Sequence, residues 1–94
     1  MAEYRLEVKE KAVKELAKVR PDTGIRLLKS IETLASDPRP RRSHKLSGSN
    51  NCYRLRVGDY RVFYEVRPEA LVRVLAVGHK VHNELFIRGQ RVEI

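Results

Sequence analysis

The sequence holds one cysteine, Cys52, no tryptophan, and no apolar run approaching the ~18 residues that a membrane span needs. A lone cysteine excludes an internal disulfide and fits a reducing compartment. No signal-peptide pattern opens the chain, so the expectation is a cytoplasmic protein with no membrane association. There is no low-complexity tract and no internal repeat. A length of 94 residues allows one domain, 1–94, around a single modest core. Acidic residues are also scarce: 12 Asp and Glu stand against 20 Lys and Arg, a formal net charge of +8. That imbalance calls for a polyanion or an acidic protein as partner.

The excess is concentrated. Between Arg39 and Arg61 lie seven cations (Arg39, Arg41, Arg42, Lys45, Arg54, Arg56 and Arg61) and one acid, Asp59, so six of the eight surplus charges fall in this segment. A generally solvated surface would spread them along the chain.

Periodicity divides the rest. Tyr4, Leu6 and Val8 alternate with polar residues as a half-buried strand does. From Lys9 the period lengthens, and Ala12, Val13, Leu16 and Ala17 fall on one helical face. Pro21 suits the first turn of a second helix with the stripe Ile25, Leu28, Ile31, Leu34 and Ala35, which Asp37-Pro38 stops. A basic loop, 40–51, contains a candidate strand at Lys45 to Ser47. Tyr53 to Val57, Tyr60 to Val66 and Leu71 to Val77 then read as three long strands, and Val92 to Ile94 as a frayed tail. The expected class is α+β: an antiparallel sheet with an N-terminal α-helical hairpin on one face, in β-α-α-β-β-β order.

Gly58-Asp59 is a two-residue hairpin loop in which glycine supplies the positive φ of a type II′ turn. That loop fixes the register: Val57 faces Tyr60, Arg56 faces Arg61, Leu55 faces Val62 and Arg54 faces Phe63. Leu55, Val57, Val62 and Tyr64 then share the helix side, and Arg54, Arg56 and Arg61 share the other. Opposed like charges destabilise a strand pair, so Arg56 against Arg61 makes sense where an anion belongs between them. Arginine suits this role because its planar fork grips phosphate bidentately and keeps its charge.

A tight second turn at 67–70 brings the end of the third strand, with His79 and Lys80, beside Arg61. His82 follows closely. Imidazoles beside arginines could combine proton transfer with phosphate stabilisation, the parts needed for RNA cleavage by attack of its own 2′-hydroxyl. His44, in the basic loop, reads as a phosphate contact or a bystander. No metal and no cofactor is expected, because the histidines lack a carboxylate or cysteine at ligand spacing. A strip of Phe63, Val74 and Ala76 is expected among the arginines, an apolar floor for stacked bases or for an amphipathic protein segment.

The run from Leu46-Ser47-Gly48 through Cys52-Tyr53-Arg54-Leu55-Arg56-Val57-Gly58-Asp59-Tyr60-Arg61-Val62-Phe63-Tyr64-Glu65-Val66, followed by Val74-Leu75-Ala76-Val77-Gly78-His79-Lys80, resembles the RelE/ParE superfamily of bacterial and archaeal toxins. The helical hairpin and the Asp37-Pro38 stop match too. The resemblance implies two helices on an antiparallel sheet, with a C-terminal segment beside the active site. On the RelE side it implies a type II toxin that cleaves mRNA in the ribosomal A site. An acidic, RelB-like antitoxin would wrap and neutralise it, and the pair could assemble on operator DNA. On the ParE side it implies binding of DNA gyrase without RNA cleavage.

Carried over by position, Arg61 matches the family's phosphate-stabilising arginine. Arg54 and Arg56 match basic positions that contact RNA, Arg56 also supporting the chemistry. Lys80 falls on a second functional arginine, keeping the charge and losing the fork. Lys45, Arg41 and Arg42 complete the expected RNA-binding set. Phe86 falls near a C-terminal tyrosine that stacks on the base and can move a proton. Phenylalanine can stack but carries no proton, so the expectation passes that role to His79 or His82.

Overall fold

A computed structural model describes residues 3–81, 84–87 and 90–92, with side chains described for 3–80. The elements run β1 (Arg5–Val8), α1 (Glu10–Lys18), α2 (Pro21–Thr33), β2 (Ser43–Lys45), β3 (Cys52–Val57), β4 (Tyr60–Arg67), β5 (Leu71–Val81), β6 (Glu84–Ile87) and β7 (Gln90–Val92). The fold is α+β, as expected, with Pro21 in the first turn of α2. Among the described residues the seven strands form one sheet in the order β2-β3-β4-β5-β6-β7, with β1 also on β5.

Three features depart from the sequence reading. β1 pairs with β5 in parallel, Arg5 beside Leu71 and Val8 beside Val74, so the sheet is mixed. Tight turns force antiparallel neighbours in the second half, but no local turn constrains two strands more than sixty residues apart. The strand expected at Lys45 to Ser47 lies at Ser43–Lys45 instead. The chain also continues past the third long strand: β5 extends to Val81, and β6 and β7 add antiparallel edges, with Val92 ending β7. His82 and Ile94 lie outside the described residues.

The core lies between the helices and one sheet face. Ala12, Leu27, Ile31 and Leu34 from the helices meet Leu55, Val57, Val62, Tyr64, Val66, Val72, Val74 and Val77. The helices are rotated from the stripes expected of them. Val13, Ile25 and Leu28 are exposed, while Leu27 is fully enclosed. Leu27 and Leu28 are adjacent and equally apolar, so periodicity alone cannot say which one points inward. Tyr64 is anchored at the centre: its hydroxyl donates to the Pro38 carbonyl at 2.7 Å, and its ring stacks on Tyr53. Burial pushes its phenol pKa up.

The turns behave as their residues dictate. Gly58 has φ 59° and Asp59 a negative φ, which fits the type II′ turn. At the second turn Ala70 takes φ 59°, a left-handed conformation that costs a non-glycine residue about 1–2 kcal/mol.

Candidate functional site

The hairpin register is the one its turn dictates. Val57 pairs with Tyr60, Arg56 with Arg61, Leu55 with Val62 and Arg54 with Phe63. Leu55, Val57, Val62 and Tyr64 are buried under the helices, so Arg54, Arg56, Arg61 and Phe63 occupy the opposite, open face.

Next to the hairpin, β5 carries a bulge. Tyr64 pairs with Val74, but Phe63 pairs with Ala76, leaving Leu75 as the extra residue. One inserted residue reverses the alternation along the rest of the strand. Val74 therefore belongs to the core, where it is fully buried, and not to the open-face strip expected with Phe63 and Ala76. Beyond the bulge, Ala76, Gly78 and Lys80 share the open face with Phe63 and Arg61. His79 takes the other side, opposite Tyr60 and stacked on its ring at 4.5 Å between centroids and 9° between planes.

The sequence predicts both Lys80 and His79 beside Arg61. The strand brings both to that end of the hairpin, with the Lys80 amide donating to the Asp59 carbonyl at 2.7 Å. Adjacent residues on a strand point to opposite faces, so Lys80 joins the arginines and His79 does not. The register sets Phe86 across from His79 and Leu85 across from Lys80.

The basic loop divides in the same way. β2 places His44 opposite Arg54 and Lys45 opposite Tyr53. His44 is therefore on the arginine face at the sheet edge, whereas Lys45 belongs to the Tyr53 side. The Arg56 amide donates to the Arg42 carbonyl at 3.2 Å, which extends the same pairing to Arg42. Arg41 is exposed in the preceding turn. Arg39 is structural: its Nε donates to the Tyr53 hydroxyl at 2.9 Å, which raises its pKa.

Sequence reasoning missed the position of His44. The β2–β3 link, 46–51, contains Gly48 in a positive-φ conformation and is longer than a two-residue turn, so it encodes no register by itself. Arg26 was missed as well. Its guanidinium lies so close to the hairpin tip that a Cβ on Gly58 would stand 2.7 Å from Arg26 Nη2.

Charge is handled differently at the two ends of the open face. At the far end Arg73 Nε meets Glu7 at 2.7 Å and Arg73 Nη1 meets Glu65 at 2.9 Å, while Arg67 reaches Glu65 and Glu69 at 3.8 and 3.6 Å. At the hairpin end, no ion pair among the described residues involves Arg54, Arg56, Arg61 or Lys80. Arg61 Nη1 instead donates to the backbone carbonyls of Gly58 and Tyr60, at 3.1 and 2.9 Å. Partial burial, followed by the charges of Arg54 and Arg56, lowers the Arg61 pKa, and Asp59 offsets this in part. Arginine still remains a cation at any physiological pH. The result is a set of guanidinium donors held close together with no carboxylate between them, an arrangement that a bound phosphate would relieve. Among the described residues, no three His, Cys, Asp or Glu side chains are grouped to hold a metal ion.

Comparison with known proteins finds relatives of the whole fold. The family described as the ParE toxin of type II toxin-antitoxin systems, parDE, matches residues 6–83. A relative named RelE1 from Methanocaldococcus jannaschii is 32% identical over 66 residues, covering 67% of this chain and 73% of its own. The isolated E. coli RelE toxin superposes with a TM-score of 0.73 at 30% identity, covering 84% of this chain and 86% of that one. The archaeal RelE–RelB complex from Pyrococcus horikoshii gives a TM-score of 0.70 at 31% identity, covering 93% and 97%.

Proposed function

The chain belongs to the RelE/ParE superfamily of type II toxins, and from that premise we propose that it is a ribosome-dependent endoribonuclease that cleaves mRNA in the A site and so halts translation. The observation that carries this reading is the unpaired arginine set on the open face, with Arg56 directly opposite Arg61. A face that met no anionic ligand would gain nothing from leaving those charges opposed, since an acid at either position would stabilise the hairpin. In the proposed reaction Arg61 and Arg56 hold the non-bridging oxygens of the scissile phosphate and stabilise the charge that builds on them as the RNA 2′-oxygen attacks. Arg54, Arg42 and Lys80 bind flanking phosphates, with Arg41 at the margin. Phe63, partly exposed on this face, gives a base an aromatic surface to lie against. Lys45 sits on the other face and is not placed in this set.

No described helix is long and apolar enough to cross a membrane, and a ribosome-directed enzyme would work in the cytoplasm. The test is cleavage of ribosome-bound mRNA by the wild type and by Arg61→Ala. Loss of one donor to a developing oxyanion typically lowers the rate about 10²–10³-fold. A wild type that leaves mRNA intact, or an Arg61→Ala variant as fast as the wild type, would overturn the reading.

The second reading is gyrase inhibition, favoured by the match to the ParE family over residues 6–83. Inhibition of gyrase on supercoiled DNA by both wild type and Arg61→Ala, with mRNA left intact, would establish it instead.

An acidic, RelB-like antitoxin is the proposed partner, since solved relatives occur as RelE–RelB complexes. Its acidic residues would compete with RNA for the same arginines, and the pair could assemble on operator DNA. Saturating antitoxin is therefore expected to suppress mRNA cleavage, measured as cleavage rate against antitoxin concentration. Undiminished cleavage by the fully bound toxin would show that the two surfaces are separate.

A further inference from the structure

We infer that His44 is the proton-accepting group of the active face, the residue that takes the proton from the attacking 2′-hydroxyl. This assignment rests on the endoribonuclease reading and adds the part that reading lacks. The arginines can hold a phosphate, but they remain protonated at any physiological pH and cannot serve as a base. His79 points away from the arginine face and has its ring stacked on Tyr60. The histidine that β2 places on the arginine face is His44.

Three observations support it. His44 is directly opposite Arg54 in the β2–β3 ladder, so their Cβ atoms are neighbours on one face. Arg54 in turn faces Phe63, and the adjacent row runs from Arg56 to Arg61, so His44 stands at the edge of the row next to the proposed phosphate grip. The side chain is exposed and takes part in no hydrogen bond, ion pair or ring contact among the described residues, so its ring nitrogens are available to a ligand.

β2 is the edge strand, so β3 is the strand packed beside it. The titratable or charged groups facing His44 from β3 are Arg54 directly and Arg56 and Cys52 diagonally, while Arg42 and Leu46 flank it along its own segment. No carboxylate is in this set. Arg56 is diagonal to His44, so the scissile phosphate it grips with Arg61 would lie beside the imidazole's row, with no acid of this set competing for it.

The step balances without a cofactor. Neutral His44 takes the proton of the 2′-hydroxyl as the 2′-oxygen forms a bond to phosphorus. The bond from phosphorus to the 5′-oxygen breaks, and the leaving oxygen takes its proton from water. The products are a 2′,3′-cyclic phosphate and a 5′-hydroxyl end, and solvent removes the proton from the imidazolium. Nothing is oxidised or reduced.

The experiment is single-turnover cleavage of ribosome-bound mRNA from pH 5.5 to 8.5 by wild type, His44→Gln and His79→Gln, with ribosome binding measured for each. In the wild type the rate should rise with pH and then level, as a reaction that needs one group in its basic form does. His44→Gln should bind ribosomes as the wild type does, cleave about 10²–10⁴-fold more slowly, and lose that rise. Cleavage by His44→Gln within threefold of wild type, or with the same pH profile, would overturn the assignment while leaving the nuclease reading intact. So would loss of the profile in His79→Gln with His44→Gln unaffected. A wild type that cleaves nothing would overturn the nuclease reading, and this assignment with it.

Discussion

Arg56→Glu is expected to make the protein more stable and far less active. Arg56 and Arg61 are directly opposed in the hairpin, and neither has a carboxylate partner among the described residues. A glutamate at 56 would turn a like-charge pair into an attractive one, a gain of about 0.2–1 kcal/mol for a cross-strand pair. The gain should appear as a higher urea midpoint with an unchanged slope. The same change removes one phosphate donor and places a negative charge where the proposed anion binds. Loss of a single such donor costs about 10²–10³-fold, and reversal should exceed that, on the order of 10³-fold or more in mRNA cleavage. If stability and cleavage fell together, the opposed arginines would be a structural feature and the argument for an anion between them would fail. Natural proteins tolerate local destabilisation at working sites, and this hairpin is where the chain departs from what folding alone would favour.

The second large effect concerns the core. Leu27→Ala is expected to destabilise the protein by about 2–5 kcal/mol, because the side chain is completely enclosed and α2 has few other anchors. Leu28→Ala, one residue on and 47% exposed, should change stability by no more than about 0.5 kcal/mol. Chemical denaturation of the two variants side by side measures both. Equal losses would mean that α2 is rotated toward the Ile25–Leu28 stripe that the sequence suggests. The difference matters for the site, because α2 packs under β3, the strand that carries Arg54 and Arg56. A loosened α2 would lower the amount of folded protein, while the folded fraction should cleave as the wild type does.

The arginine hairpin was legible because its determinants are local. Gly58-Asp59 sets a two-residue turn, the turn sets the register, and strand alternation then sorts Arg54, Arg56 and Arg61 from Leu55, Val57 and Val62. Nothing distant was needed. The helical hairpin was legible for the same reason, with Pro21 starting α2 and Asp37-Pro38 beyond its end. The identity of the stripes was not, because a run such as Ile25, Leu27, Leu28 and Ile31 offers two apolar faces, and contact with the sheet selects one.

The sequence by itself therefore determined the α+β class, the register of the hairpin and the presence of an unneutralised arginine face. Tertiary structure decided which neighbours that face receives. The bulge at Leu75 reverses the alternation of β5, bringing Lys80 to the arginines and sending His79 to Tyr60, and no residue near Leu75 announces it. β2 forms three residues long at Ser43–Lys45 and sets His44 against Arg54, through a link too long to fix its own register. Parallel pairing of β1 with β5 likewise depends on a contact across more than sixty residues. Local turns encode register through backbone geometry, whereas a bulge or an edge strand is placed by the partner it meets, and that partner exists only once the chain has folded.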